Sequence, residues 1–298
     1  MVPVPVPITI AEALRWPGLE PVDARVLLQH VLGVGHAYLI AHSERVLTSS
    51  ETEAASSLFF RRLQGEPVAY LIGRREFFGR DFFVSPAVLI PRPETELLVE
   101  MALERIASLA RPRVLDLGTG SGCVALTLAL ERINACITAV DISDEALRVA
   151  QANRQKLTAA NVEFLIGRWF DALGERRFDI IVGNPPYVSS GDPHLETGDV
   201  RFEPRAALAA GPDGLNDLTH IITAAQDHLA PGGWLLLEHG WDQADAVAAL
   251  LTDAGFEEAF LARDLAGQPR VSGGRAPGTP ARSDATTHRG EHPAGSFP

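Results

Sequence analysis

The chain has 298 residues, 46% of them hydrophobic and 21% charged, with a formal net charge of -12. This length suits one large domain with a small one beside it, and the acidic balance argues against nucleic acid as a general partner, since backbone binding is driven by Lys and Arg displacing counterions. Cys123 and Cys136 are too few for a disulfide framework and lack Cys-His metal spacing, and no apolar run nears the roughly 20 residues of a membrane span.

The opening MVPVPVPITI has no basic stretch ahead of an apolar one and is broken by prolines, so it does not read as a secretory signal. The expectation is a reduced, cytoplasmic protein with no membrane association and no bound metal. Residues 8–72 read as helical. In EPVDARVLLQHVLGV, Val26, Leu27, Val31 and Leu32 fall near helical spacing and Gly33 ends the run. SSETEAASSLFFRRLQG repeats the pattern, with Ser50 placed as N-cap and Gly65 as the stop. REFFGRDFFVS offers two aromatic runs about a glycine, which predicts a β-hairpin. Residues 1–84 are therefore expected to form a small helical domain linked onward by this hairpin.

IPRPETELLV predicts a helix starting at Pro93, with Glu94 and Glu96 in its first turn. It is either purely structural or part of a pocket mouth, and the roles of Arg92 and Glu94 stay open. Beyond it, RVLDLG, ITAVD, VEFLI, FDIIVG and GWLLLEH are short apolar runs without polar alternation, as in strands buried on both faces. Helix-like pieces separate them, so residues 85–275 predict a doubly wound α/β sheet. The stretch 188–214 is long for a loop and is expected to help cover a site, with no chemical role assigned to Arg201 or Glu203. His194, His228 and His239 read as structural. Residues 276–298 are rich in Gly, Pro, Ser and Thr and are expected to be a disordered tail.

Three segments carry chemistry. VLDLGTGSGCVAL puts Gly118, Gly120 and Gly122 between a strand and a helix, where the backbone can approach a ligand closely. The G-x-G-x-G spacing departs from the dinucleotide pattern. Asp141 closes the next strand, placed to accept hydrogen bonds from ribose hydroxyls or to assist Ser143 and Asp144 at a helix start. Trp169 follows the third strand, where its ring could cover an adenine or belong to the core. The third segment is IIVGNPPYVSS. Pro185 and Pro186 remove two N–H donors and hold the residues before them extended. The loop so offers carbonyl oxygens beside the Asn184 amide oxygen, a surface suited to a substrate NH2 group. Gripping both hydrogens orients the nitrogen for in-line attack on a methyl group, catalysis by positioning and dipoles.

The G-x-G-x-G loop with the strand-two acid resembles the S-adenosylmethionine-dependent methyltransferases of the seven-stranded class. NPPY-type loops are shared by enzymes that methylate adenine, guanine and glutamine. With EPVAYLIGRREFFGRDFFVSPAVLIPRPETELLVE, NPPYV, DVRFEPRAALAAGPDGL and LLLEHGWDQ, the chain is similar to the HemK family of release factor glutamine methyltransferases over roughly residues 8–275.

The resemblance implies an α/β fold with a seven-stranded, mostly parallel sheet and the helical N-terminal domain as a release-factor-docking module. It implies N5-methylation of the glutamine in the Gly-Gly-Gln motif of peptide chain release factors, with S-adenosyl-L-methionine as methyl donor. Its cofactor site maps onto Gly118, Thr119, Gly120, Ser121, Gly122, Asp141, Trp169 and Asn184. The substrate glutamine would lie against Asn184, Pro185, Pro186 and Tyr187, with Asn184 and Pro185 as the catalytic pair. The tail of about twenty polar residues is the one departure from the family pattern. Two competing readings are an amino-methyltransferase of DNA or ribosomal RNA, and a scaffold that binds the cofactor without turnover. A monomer is expected.

Overall fold

A computed structural model describes residues 8–278. Residues 1–7 and most of the expected tail, 279–298, lie outside the described residues.

Two of the N-terminal helices begin at capping boxes. Thr9 caps α1 (Ile10–Ala13) in a capping box with Glu12. Pro21 opens α2 (Pro21–Leu32), and Gly33 closes it in the left-handed region at φ +64°. After α3 (His36–Ala41) comes α4 (Ser49–Leu63), whose cap is Thr48 rather than Ser50. The reason is register: Glu51 stands three residues after Thr48, so its carboxylate returns to the Thr48 N–H at 2.8 Å and completes the box. Ser50 is left inside the first turn with its hydroxyl 3.2 Å from that of Thr48. α5 (Val68–Ile72) ends at Gly73. Ala24, Leu27 and Leu28 of α2 pack with Ala55 and Phe59 of α4 and with Leu71 in a core of their own; Leu28, not Val26, completes the fully buried stripe.

The hairpin forms as expected, β1 (Arg74–Phe77) against β2 (Arg80–Phe83), with positive φ at both Phe78 and Gly79 as tight hairpin turns need. Phe77 and Phe82 are buried in the core of the large sheet. A single 3-10 turn, Pro93–Thr95, leads into α6 (Glu96–Ile106). Glu96 accepts the Phe78 N–H at 2.7 Å, so it anchors the hairpin turn to α6.

The remaining α-helices and strands are β3 (Arg113–Leu117), α7 (Cys123–Glu131), β4 (Cys136–Asp141), α8 (Asp144–Leu157), β5 (Val162–Ile166), β6 (Phe178–Gly183), α9 (Asn216–His228), β7 (Leu229–Glu238), α10 (Ala244–Asp253), β8 (Glu257–Arg263) and β9 (Pro269–Arg275). Seven strands form one sheet in the order β5-β4-β3-β6-β7-β9-β8, in which β9 alone runs antiparallel to its neighbours. β7 begins four residues before the apolar run at Gly233, and a register shift opposite Phe178 and Ile180 accommodates Pro231 to Gly233.

Side chains alternate between two apolar layers. Val114, Ile137, Ile180 and Leu236 face α6 and α7, whereas Leu115, Val140, Ile181 and Leu235 face α9 and α10. Burial on both faces explains why these strands read as continuous apolar runs. Each such Leu or Ile contributes about 1.5–3 kcal/mol by leaving water. Strand order reverses between β3 and β6, which opens a crevice at their carboxyl ends.

Candidate active site

The glycine-rich loop leaves β3 into that crevice. Gly118, Gly120 and Gly122 have φ of +69°, +54° and +80°, a region L-residues with a Cβ avoid. At Gly122, the N-cap of α7, a Cβ would also stand 3.0 Å from Leu126 and 3.2 Å from Ala150, so the close α7–α8 packing needs glycine. At Gly120 no atom lies within 4 Å of where a Cβ would point, leaving the backbone open to a ligand. The Val140 carbonyl accepts the N–H groups of Gly118 and Thr119 at 2.9 and 3.0 Å.

Asp141 completes this corner. Its Oδ2 accepts the Gly120 N–H and its Oδ1 the Ser143 N–H, both at 2.8 Å, while Ser143 caps α8 through Ala146. Two carboxylate oxygens offer about four acceptor sites, so the group keeps capacity for a ligand hydroxyl. Burial raises the Asp141 pKa, and the three backbone N–H groups around it oppose that rise. At the cavity wall, buried Asp116 accepts the Thr119 hydroxyl at 2.6 Å, and burial pushes its pKa up to about 7.

A cavity of about 420 Å³ lies in front of the loop, a usual size for a small-molecule site. Its wall brings together Gly118, Thr119, Gly120, Ser121, Asp141, Trp169, Asn184 and Pro186 from the expected set. Trp169 adopts a left-handed backbone at φ +49°, which turns its ring over Gly118. Its indole N–H donates to Asp217 at 3.2 Å. The ring so serves wall and core together, packing against the α9 layer. Gly122, Pro185 and Tyr187 stand outside the wall: Gly122 starts α7, Pro185 is buried, and half-buried Tyr187 directs its hydroxyl toward Glu238 at 3.5 Å. The Tyr187 carbonyl accepts from Gln243 at 3.0 Å.

The long loop 188–214 covers the cavity with Pro204, Ala206, Ala207 and Ala209. It is tied down by buried Glu203, which accepts the Ile90 N–H at 3.0 Å and pairs with Arg92. Arg201 donates to the Gln64 carbonyl at 2.6 Å, and Arg62 bridges Asp23 and Asp199 at 2.6 and 2.7 Å. The cover is therefore bonded to the N-terminal helices. His239 is structural: one ring nitrogen meets the Gly240 carbonyl and the other the Ser272 hydroxyl, both at 2.8 Å.

Several residues at or near the site escaped sequence reasoning, among them Asp116 and Asp217 of the cavity wall. Asn153 of α8 is fully buried and bonds both the backbone of Phe83 and the Ser121 carbonyl, joining hairpin to glycine loop. Thr95 accepts the Asn184 side-chain N–H at 3.2 Å. Glu238 ends β7 in the interior, as Asp141 ends β4; a carboxylate closing an apolar strand was the available signal in both. Burial pushes its pKa up to about 7. Among the described residues no group of three or more His, Cys, Asp or Glu is placed to hold a metal ion, and no helix is long and apolar enough to cross a membrane.

Comparison with known proteins places this geometry. A family profile described as a methyltransferase domain matches residues 110–266, and one described as a PrmC N-terminal domain matches residues 12–73. A release factor glutamine methyltransferase of Salmonella typhimurium is 50% identical over 85% of this chain and 91% of its own length. One of Bordetella pertussis is 50% identical over 89% of this chain and 98% of its own. Among solved structures, a Pyrococcus furiosus methyltransferase has a TM-score of 0.50 at 19% identity, covering 74% of this chain and 99% of that one, a likeness of fold. At such identity over nearly the whole length, the chain belongs to the release factor glutamine methyltransferase family.

Proposed function

We propose that this protein transfers a methyl group from S-adenosyl-L-methionine to the N5 nitrogen of the glutamine in the Gly-Gly-Gln motif of peptide chain release factors. The observation that carries this reading is the shared cavity of the glycine loop, Asp141 and Asn184, in a chain of this family. Bound there, the cofactor supplies an electrophilic methyl group on a sulfonium. The residues present fit it: open backbone at Gly120, spare acceptor capacity on Asp141 for the ribose, and the Trp169 ring for the adenine.

The remaining work is positioning. An amide nitrogen is a poor nucleophile because its lone pair is delocalised. Asn184 Oδ1 and the Pro185 carbonyl would hold its two hydrogens, with Pro186 and Tyr187 completing the substrate side. Charge developing on the nitrogen then meets fixed dipoles that need no reorganisation. Transfer would join the methyl carbon to the amide nitrogen as its bond to sulfur breaks, with one amide proton released to solvent.

Residues 1–84 would serve as the docking unit, 85–275 as the catalytic unit and 276–298 as an appendage. A monomer working in the cytoplasm, where translation terminates, fits this substrate. The nucleic-acid alternative is disfavoured by the -12 net charge and by the relatives' names. Incubation with cofactor and release factor, followed by mass spectrometry of the Gly-Gly-Gln peptide, tests the reading. One added methyl group on the glutamine supports it, and an unmodified peptide refutes it.

A further inference from the structure

Among the described residues, three carboxylates line the cavity: Asp116, Asp141 and Asp217. Asp116 is engaged by the Thr119 hydroxyl, and Asp141 stands at the corner that fits the ribose. Asp217, in the first turn of α9, stands instead beside Trp169, and its side chain is 15% exposed. Its Oδ1 accepts the indole N–H at 3.2 Å and an Arg168 N–H at 3.3 Å. Both donors converge on that one oxygen. Oδ2 has no hydrogen-bond partner among the described residues, and it is not sealed in the interior. A ligand that fills the cavity displaces water from this oxygen, so an unmatched Oδ2 would then cost free energy.

An indole N–H points outward in the plane of its ring, so the carboxylate sits at the edge of Trp169 and leaves the face free for a base. A base stacked on that face at about 3.5–4 Å brings its own edge beside the carboxylate. An ionised carboxylate only accepts hydrogen bonds, so that edge must donate. Adenine carries an exocyclic amine on the edge remote from its ribose, and α9 supplies a wall separate from the Asp141 corner. A 6-oxo purine would present an oxygen there, acceptor against acceptor. We propose that Asp217 is a specificity-determining residue, whose Oδ2 accepts the amine of the cofactor's adenine while Oδ1 holds Trp169 against the base. The proposal rests on the reading of the cavity as the S-adenosylmethionine site.

The test is calorimetric binding of two compounds to the full-length protein and two variants at neutral pH. The compounds are S-adenosylhomocysteine, the demethylated cofactor, and S-inosylhomocysteine, its 6-oxo counterpart. Wild type should bind the adenosyl compound at least about tenfold more tightly, the size of a hydrogen bond to a charged acceptor. Asp217→Ala should bring that ratio below about threefold. Asp217→Asn keeps an oxygen for the Trp169 and Arg168 donors, which turns its NH2 toward the base. It should therefore bind the inosyl compound more tightly than Asp217→Ala does. A carboxylate that merely supported Trp169 would give variants weaker for both compounds by the same factor. That unchanged ratio would overturn the proposal, as would equal affinity for the two compounds in wild type. Either result leaves the cavity as the cofactor site, whereas wild type binding neither compound removes that reading as well.

Discussion

Asp141 Oδ2, at the carboxyl end of β4, accepts the backbone N–H of Gly120 at 2.8 Å, so the acid closing one strand pins the loop that leaves its neighbour. Its other oxygen holds the first turn of α8 through Ser143. Asp141→Ala would strand the N–H groups of Gly120 and Ser143 and remove the proposed ribose acceptor together. The expected outcome is at least a tenfold loss of S-adenosylmethionine affinity, since each bond to a charged acceptor is worth about 1.5–3 kcal/mol. Calorimetric titration checks it, and unchanged affinity would contradict the assignment.

Gly122 offers a second check, by way of backbone conformation and space. Alanine there must adopt φ near +80° and push against Leu126 and Ala150. Gly122→Ala should cost about 1–3 kcal/mol of stability, read as a lower urea midpoint, and should weaken cofactor binding with it. At Gly33, also at positive φ but with no atom within 4 Å of its Cβ position, alanine should cost less than at Gly122 and leave the cofactor site untouched.

The buried acids set a pH dependence. Glu238 rises from an ordinary 4.5 to about 7 and Asp116 from 3.8 to about 7, chiefly by burial. The folded state therefore binds these protons more tightly than the unfolded chain. Their contribution is fully present below about pH 4, declines as pH rises, and is lost above about pH 7. Glu238→Gln removes one such penalty. Its stability relative to wild type should be greater at pH 8 than at pH 5 by about 1–3 kcal/mol, measured as urea unfolding at the two pH values. An equal difference at both would show that folding does not raise the Glu238 pKa.

Glu203 links the loop over the cavity to the segment before the 3-10 turn through Ile90 and Arg92. Glu203→Ala leaves a buried N–H and a partly exposed guanidinium unpaired, at a cost of about 1–3 kcal/mol. Proteolysis should then cut residues 188–214 faster than in wild type, and cofactor addition should slow the cutting. Equal rates would mean that other contacts hold the loop.

Much of this was legible in the chain. Strands buried on both faces leave unbroken apolar runs, and a loop at positive φ favours glycine, so β3, β4, β6, β7 and the site loop could be read directly. Asp141 was legible because it ends such a run. β8 was not: it is an edge strand whose EEAFLAR is mostly exposed, with no alternation to mark it. The cap at Thr48 was missed because the choice among Thr48, Ser49 and Ser50 depends on which of them Glu51 can reach. Thr95, Asn153 and Glu238 act through partners 89, 70 and 51 residues away, which no local pattern encodes.

The most direct measurement is methyl transfer from labelled S-adenosylmethionine, with three acceptors side by side: a release factor, the same factor with its Gly-Gly-Gln glutamine changed to alanine, and DNA or ribosomal RNA. Label on the first alone is the predicted result, and Asn184→Ala should abolish it while cofactor binding weakens less than turnover. Label on nucleic acid with none on the release factor would contradict the account and make the Asn184 loop a clamp for a base amine.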